Sequence, residues 1–433
     1  MVITAMLTGS TPTWGHASAV PVRRMPVSEP GRQLVADLSE FKEAVDTPAV
    51  RDMLTTIREG EAATIEEQVA ICEIPAPPFS ESERAIDYAR RLRETGIRGI
   101  RTDAAGNVIG EWAGSDPKPL VVLSAHLDTV FPAGTDVTVT RDQHLLKGPG
   151  IVDDCRGLAV VLAVARAWAE SGLRPRGRLV FVGTVGEEGA GNLRGVRHLF
   201  EDELRDQIDA FVSIDGAGST VTHGAVGSHR YKVTYRGPGG HSFGAFGMPN
   251  PMHALGRAIA KIADFQVPTQ PKVTFSVGIL EGGTSVNSIP FSAAMSVDMR
   301  SLDVNALEEL DSQFRVALQE ALDEENGRWD TDIDLTYDIE VIGIRPAGLQ
   351  LESAPIVRAA LATARAAGIE AQLNSSSTDS NIPISLGIPA VTIDGGGHGT
   401  GAHSPSVEIF DSTDSHKGSQ WALLLTLALA GIE

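Results

Sequence analysis

Histidine and acidic residues cluster in six short segments of this sequence. In the first, VVLSAHLD (121–128), an apolar run ends in His126 and Asp128, a pair that is costly to bury without partners. Five further segments combine such residues with glycine: GPGIVDDCRG (148–157), TVGEEGAG (184–191), SIDG (213–216), GGHS (239–242) and GGGHGTGAHS (395–404). Any one alone is typical of a turn, a helix cap or a solvated surface. Together they indicate a site.

These residue types suit a pair of divalent cations. Two histidines and three carboxylates, one of them shared, match borderline ions such as zinc held about 3.5–4 Å apart. Two adjacent ions lower the pKa of a bridging water, a nearby carboxylate accepts its proton, and the resulting hydroxide attacks a carbonyl. The sequence therefore predicts hydrolysis of an amide. Two Zn²⁺ ions are the expected cofactors, with Mn²⁺ or Co²⁺ as alternatives.

Buried strands must bring these segments together. Short apolar runs at 119–124, 178–185 and 211–215 predict parallel strands that are followed by acidic or imidazole groups. Ligands bind at the carboxyl ends of the strands in open parallel sheets. Helices are predicted at 48–72, 82–95, 157–170 and 354–367, and a further strand at 389–394. This alternation is typical of an α/β fold.

The order of elements changes between residues 225 and 345. Strand, helix, strand, strand, helix and strand are predicted at 229–236, 250–263, 273–280, 291–300, 303–325 and 333–342. This order is that of a ferredoxin-like unit. We therefore predict a discontinuous catalytic domain with a mostly parallel sheet (41–224 and 346–433) and an inserted α+β domain (225–345).

Composition limits the classes of function. A chain of 433 residues favours two domains, and its formal charge of −20 argues against a nucleic-acid partner. A membrane span is not predicted, because no run of about 18 apolar residues occurs. Cys72 and Cys155 are too few for a disulfide framework and form no C-x-x-C pair. A metal in this protein must therefore use histidines and carboxylates.

The first 40 residues are predicted to be a disordered or processed segment. Ala17-Ser18-Ala19 resembles a signal-peptidase site, but no basic stretch precedes it. We expect a cytoplasmic protein, with export as the alternative if this segment is a truncated signal peptide.

Residues 119–433 resemble the di-zinc metallohydrolases that include glutamate carboxypeptidase, succinyl-diaminopimelate desuccinylase, aminoacylase, carnosinase-type dipeptidases and tripeptidase T. The H-x-D, D-D, E-E and H-S motifs carry the resemblance. It implies that His126 binds one metal and that Asp128 orients this histidine. It also implies that Asp153 bridges both metals and that Asp215 binds alongside His126.

The remaining motifs imply the base and the second metal. Glu187 would be the general base, and Glu188 would bind the metal that His126 does not. The resemblance assigns the last metal ligand to His403, and His398 is the alternative. We prefer His403, because the family pattern continues from H-S to an acidic residue, here Glu408.

The inserted domain resembles the lid of this family. The resemblance implies that Asn287 and Arg300 contact the substrate, although Arg300 could instead pair with Asp298 or Asp303. His241 matches a lid histidine that, in family dimers, stabilises the oxyanion in the partner's active site. A homodimer through the lid domain is therefore predicted.

The substrate prediction depends on two further features. The aspartate at 215 and the stretch SSSTDSNIP (375–383) resemble the tripeptidase T branch, in which Asp379 could face a free amino group; a cap or turn is its alternative role. We predict a di- or tripeptide exopeptidase of aminopeptidase type. The alternatives are an N-acyl amino acid amidohydrolase (deacylase) or a carboxypeptidase. A non-catalytic binding protein is disfavoured, because every expected position is filled.

Overall fold

The structure, a computed structural model, describes residues 38–433. Most of the predicted N-terminal segment (1–40) therefore lies outside the described residues. The helices are α1 (Leu38–Val45), α2 (Pro48–Cys72), α3 (Ser82–Glu94), α4 (Cys155–Ser171), α5 (Arg194–His198), α6 (Pro251–Ala263), α7 (Val304–Asn326), α8 (Pro355–Ala366), α9 (Asn381–Ser385) and α10 (His416–Ala430).

The strands form one large sheet, an inserted sheet and two smaller groups. They are β1 (Arg98–Thr102), β2 (Val108–Ala113), β3 (Leu120–His126), β4 (Thr140–Asp142), β5 (Leu145–Lys147), β6 (Arg178–Thr184), β7 (Ala210–Ile214), β8 (Thr220–Ala225), β9 (Gly227–Arg236), β10 (Gly240–His241), β11 (Val273–Gly282), β12 (Ser288–Ile289), β13 (Ser292–Ser301), β14 (Thr336–Arg345), β15 (Gly348–Leu349), β16 (Gln372–Ser376), β17 (Ala390–Ile393), β18 (His398–Thr400) and β19 (Ile409–Asp411).

The large sheet has the order β1-β2-β6-β3-β7-β17-β8-β15, with β16 paired to β8. Its four central strands, β6, β3, β7 and β17, run parallel. All seven residues of β3 are buried, because helices cover both faces of the sheet. The predicted α/β class with a mostly parallel sheet is confirmed.

Helices α4 and α10 fix the parallel strands from one side. Trp168 of α4 donates a hydrogen bond to Thr426 of α10 (3.0 Å), and Trp421 donates to the backbone oxygen of Ala360 in α8 (2.9 Å). Both tryptophans are fully buried, so each contributes about 2–3 kcal/mol of burial free energy. Helix α10 is not predicted from the sequence, because it is apolar on all sides and lacks amphipathic spacing.

The inserted domain has the predicted ferredoxin-like topology. Its antiparallel sheet has the order β11-β13-β9-β14, and helices α6 and α7 pack on one face. The last strand, β14, begins at Thr336 rather than at residue 333. Strands β10 and β12 pair outside this sheet as a short two-stranded ribbon.

A disulfide joins Cys72 at the end of α2 to Cys155 at the start of α4. Both cysteines are fully buried, and their Cα atoms are 5.5 Å apart. This bond is not predicted from the sequence, since two cysteines separated by 83 residues give no spacing signal. The bond ties α2 to the loop that carries Asp153.

Within residues 38–433, no helix has both the length and the hydropathy needed to cross a membrane.

Candidate active site and metal centre

The carboxyl ends of three parallel strands bring the predicted ligands together. β3 ends at His126, β6 is followed by Glu187 and Glu188, and β7 is followed by Asp215. Because these strands are parallel neighbours, the groups that follow them meet at one edge of the sheet.

Asp153 lies between two triads of potential ligands. On one side, its Oδ1 is 2.8 Å from Nε2 of His126, which is 3.9 Å from Oδ1 of Asp215. On the other side, Nε2 of His403 lies 3.1 Å from both Oδ2 of Asp153 and Oε1 of Glu188. Ligand atoms within each triad lie within 4.8 Å of one another. Imidazole nitrogens and carboxylate oxygens in this arrangement fit two divalent cations that share Asp153.

The electrostatics of the cluster also favour cations. Burial and the neighbouring Asp153 carboxylate hold the pKa of Asp215 well above its usual range. Hydrogen bonds to Asp153 and Glu188 raise the pKa of His403 to about 10. Several carboxylates therefore lie close together, an arrangement that stabilises positive charge among them. A divalent ion would compete with these protons for the same atoms.

Two buried acidic residues position the ligands of the first triad and the base. The carboxylate of Asp128 accepts hydrogen bonds from the backbone N–H groups of Glu187 (3.0 Å) and Glu188 (2.8 Å). Nδ1 of His126 is 2.8 Å from the backbone oxygen of Asp128 and 3.8 Å from its carboxylate. Asp154, the second residue of the D-D motif, accepts from the backbone N–H of His126 (3.1 Å). Asp128 thus holds the glutamate loop as well as the histidine.

Glu408 positions the loop that carries Asp153. Its carboxylate is buried and accepts hydrogen bonds from the backbone N–H groups of Gly150 (2.9 Å), Val152 (2.8 Å) and Asp153 (3.2 Å). The sequence pattern included Glu408 but gave no indication of this role.

Glu187 has a partner that sequence analysis missed. Nη1 of Arg345 donates to Oε1 of Glu187 (2.9 Å), and Nη2 donates to the backbone oxygen of the same residue. Burial raises the pKa of Glu187 to about 8, although the charge of Arg345 acts in the opposite direction. The one sequence signal for this contact is that Arg345 is the last residue of the predicted insertion (225–345).

A cleft opens in front of both triads. The residues that line it are Val130, Asp153, Glu187, Glu188, Gly189, Asp215, Arg230, Asp298, Arg300, Arg345, Ser376, Ser377 and His403. Arg300 thus reaches the cleft, where it donates to Asp298 (2.6 Å), which also accepts from Arg230 (2.9 Å). Both predicted roles of Arg300 are compatible with this placement, because its side chain is still 41% exposed.

Two predicted lid residues lie elsewhere. Neither His241 nor Asn287 is among the described residues that line the cleft. His241 ends β10, and Asn287 directly precedes β12. The Ser242 N–H donates to the backbone oxygen of Asn287 (2.9 Å), and both His241 and Asn287 are exposed.

Asp379 and His398 are also outside the described lining of the cleft. Asp379 is buried beside the end of β6, where its carboxylate accepts a hydrogen bond from the hydroxyl of Thr184 (2.5 Å). Burial raises the pKa of Asp379 to about 6. His398 begins β18 and lies opposite Asp411 of β19, so it is His403 that meets the carboxylates.

Residues 122–427 match the sequence profile of Peptidase family M20/M25/M40. The chain belongs to this family. The M20 relatives identified by sequence include succinyl-diaminopimelate desuccinylase of Corynebacterium glutamicum, 27% identical over 238 residues (53% of this chain and 64% of the relative). Another is carboxypeptidase G2 of Pseudomonas sp., 28% identical over 227 residues (48% and 52%). The chain therefore spans only about half to two thirds of the length of these relatives.

Solved structures extend the likeness to most of the chain. Aminopeptidase PepT from Bacillus cereus has a TM-score of 0.67 at 20% identity and covers 85% of this chain and 98% of its own. Human carnosine dipeptidase 1 has a TM-score of 0.68 at 15% identity, with coverage of 89% and 99%. At these identities the comparisons show a shared fold.

Proposed function

We propose that this protein is a di-metal hydrolase that cleaves an amide bond in short peptides or N-acyl amino acids. The observation that carries the proposal is the pair of ligand triads sharing Asp153, beside a buried Glu187, at the base of a cleft. Membership of the M20 family supports it. The names of its relatives, which include an aminopeptidase, a carboxypeptidase and a desuccinylase, agree.

The two triads define the proposed metal sites. His126, Asp153 and Asp215 would hold one ion, and Asp153, Glu188 and His403 the other. Zn²⁺ is the ion we expect, with Mn²⁺ or Co²⁺ as alternatives. Two ions bound there supply Lewis acidity that polarises an amide carbonyl and eases the ionisation of water.

Glu187 is the proposed general base. Its carboxylate lies beside the ligands but is held by Arg345, and its backbone is fixed by Asp128. It can accept a proton from the attacking water and return it to the leaving amine.

The cleft wall is proposed to bind the substrate through guanidinium groups. Arg300 would contact a carboxylate, or the carbonyl after the scissile bond, with a charge-assisted hydrogen bond. Our first candidate is a di- or tripeptide exopeptidase of aminopeptidase type; the predicted contact of Asp379 with the free amino group does not fit the buried position of this residue outside the described lining of the cleft.

One observation favours the second candidate, an N-acyl amino acid deacylase or carboxypeptidase. Asp379 is buried, while Arg230 and Arg300 line the cleft and share the carboxylate of Asp298, which leaves one positive charge in excess among these three side chains. This wall suits a substrate carboxylate better than a free amine.

A substrate panel tests the proposed function and separates its two candidates. The protein loaded with Zn²⁺ is assayed for amine release from free di- and tripeptides, their N-acetylated forms and N-acyl amino acids, with Glu187→Gln as the control. If N-terminal blocking abolishes hydrolysis, the aminopeptidase is supported. Turnover of N-acyl amino acids without turnover of free peptides supports the deacylase. No turnover of any amide in the panel contradicts the proposed function.

A homodimer through the lid domain is part of the proposal. The outer edge of β11 pairs with no strand in the described part of the chain, and Ile279 and Leu280 on this strand are exposed. The positions of His241 and Asn287 also support a dimer, since both residues lie outside the described lining of the cleft of their own chain. A second copy docked at β11 would give these residues a cleft to complete.

The compartment is also proposed. The sequence favours a cytoplasmic location, but a buried disulfide is typical of oxidising compartments and supports the exported alternative. N-terminal sequencing of the native protein tests it, because cleavage after Ala19 would show export.

A further inference from the structure

Arg345 is the last residue of β14, where the chain leaves the inserted domain. Its side chain is only 4% exposed, although a guanidinium is costly to bury. Its Nη1 donates to Oε1 of Glu187 (2.9 Å) and to Oγ of Ser377 (3.0 Å), and its Nη2 donates to the backbone oxygen of Glu187. Arg345, a residue of the inserted domain, thus hydrogen-bonds to both the side chain and the backbone of Glu187, the proposed base.

The Glu187 carboxylate depends on this contact for its orientation. Among the described residues, no other group hydrogen-bonds to the Glu187 carboxylate. Without Arg345, no hydrogen bond from the described residues would hold the carboxylate against rotation about its side-chain bonds. A general base must lie within hydrogen-bond reach of its proton, and supporting contacts of this kind keep it there.

Other contacts join the same loop to the inserted domain. Oδ1 of Asn192 accepts a hydrogen bond from the backbone N–H of Ile344 (3.0 Å), and Arg230 of β9 donates to the backbone oxygen of Gly189 (3.3 Å). The segment from Glu187 to Asn192 is therefore anchored to β14 and β9. A displacement of the inserted domain would displace the base.

We infer that Arg345 is a positioning residue through which the inserted domain holds the Glu187 carboxylate against the metal ligands. This inference rests on the proposed function in assigning Glu187 as the base. The pairing of the two residues can be tested without any substrate.

The first test is a double-mutant cycle in thermal stability, measured on the protein without added metal. Arg345→Ala and Glu187→Ala each remove one side of the buried hydrogen bond and leave the other polar group without this partner, so each should lower Tm. The double variant should be destabilised by clearly less than the sum of the two single effects. The matched control is the exposed pair Arg236 and Asp338 (2.9 Å), which joins β9 to β14. Arg236→Ala and Asp338→Asn should show additive effects. Additive effects for Arg345 and Glu187 would overturn the inference, whatever the enzyme hydrolyses.

The second test is kinetic and uses the best substrate of the panel. Arg345→Ala should lower kcat by about 10–100-fold, with KM within about threefold and both metals retained, because orientation and not binding is lost. Arg345→Lys should recover part of the loss, and Arg236→Ala should change nothing. In the Glu187→Gln background, Arg345→Ala should cause little further loss. An equal loss in both backgrounds, or a rise in KM with kcat unchanged, would show that Arg345 does not act through Glu187.

Discussion

At the residue scale, the site depends on one shared carboxylate. Asp153 contacts both histidine ligands, whereas Asp215 lies near His126 and Glu188 contacts His403. The loss of Asp153 therefore affects both proposed metal sites, and the loss of Asp215 affects one.

This asymmetry predicts different metal contents for two conservative variants. Asp153→Asn should lower the occupancy of both sites, since the bridging charge is lost. Asp215→Asn should lower the occupancy of one site and retain about one metal per chain. Elemental analysis after dialysis against a weak chelator measures both, and equal loss in the two variants would contradict the shared role of Asp153.

Part of the site could be predicted because its residues follow strand ends or carry a family motif. His126, Asp153, Glu188, Asp215 and His403 are of this kind, and the structure brings all five together. The supporting contacts could not be predicted, since each joins distant parts of the chain. Arg345 and Glu187 are 158 positions apart, and Glu408 and Asp153 are 255 apart.

At the element scale, β3, β6 and β7 place the ligands, while α7 stabilises the inserted sheet. The predictable elements were short buried strands and amphipathic helices. β1, β2 and β8 were missed because they lie at the flanks of the sheet and lack a continuous apolar run.

The contact between α7 and β9 predicts a pH dependence of stability. Burial alone would raise the pKa of Asp311, but hydrogen bonds with His229, Tyr231 and Arg315 outweigh it and lower the pKa to about 2. Because the folded pKa lies below the unfolded value of 3.8, the ionised group stabilises the fold above about pH 4. This contribution is lost as the pH falls through about 2.

Asp311→Asn tests this sign. The variant should be less stable than the wild type at pH 6, and the difference in Tm should shrink steadily as the pH is lowered from 4 towards 2. Asp338→Asn is the control, since its partner Arg236 is exposed. A difference in Tm that is constant from pH 6 to pH 2 would show that the ionisation of Asp311 does not stabilise the fold.

At the scale of the whole molecule, the functional residues of the inserted domain fall into two groups, according to whether they line the cleft of their own chain. Arg345, Arg230 and Arg300 face the cleft of their own chain, whereas His241 and Asn287 lie outside it. The proposed dimer gives the second group a function in the neighbouring subunit.

Subunit mixing tests this arrangement. His241→Ala and Glu187→Gln chains should each be nearly inactive, and in a mixed dimer one of the two sites would combine an intact Glu187 with an intact partner histidine. After full exchange about a quarter of all sites should be restored. Mixing Glu187→Gln with the Glu187→Gln/His241→Ala double variant is the control and should restore none. If subunit exchange is verified and activity still does not recover, His241 acts within its own chain or has a structural role.

The central claim is that Glu187 acts as a base beside two metal ions that it does not hold. The most direct measurement is the metal content and the turnover number of Glu187→Gln, determined on the same preparation. We predict a metal content equal to that of the wild type and a turnover number lower by about two to four orders of magnitude. A turnover number within a few-fold of the wild type, or a loss of metal that accounts for the loss of activity, would contradict the account.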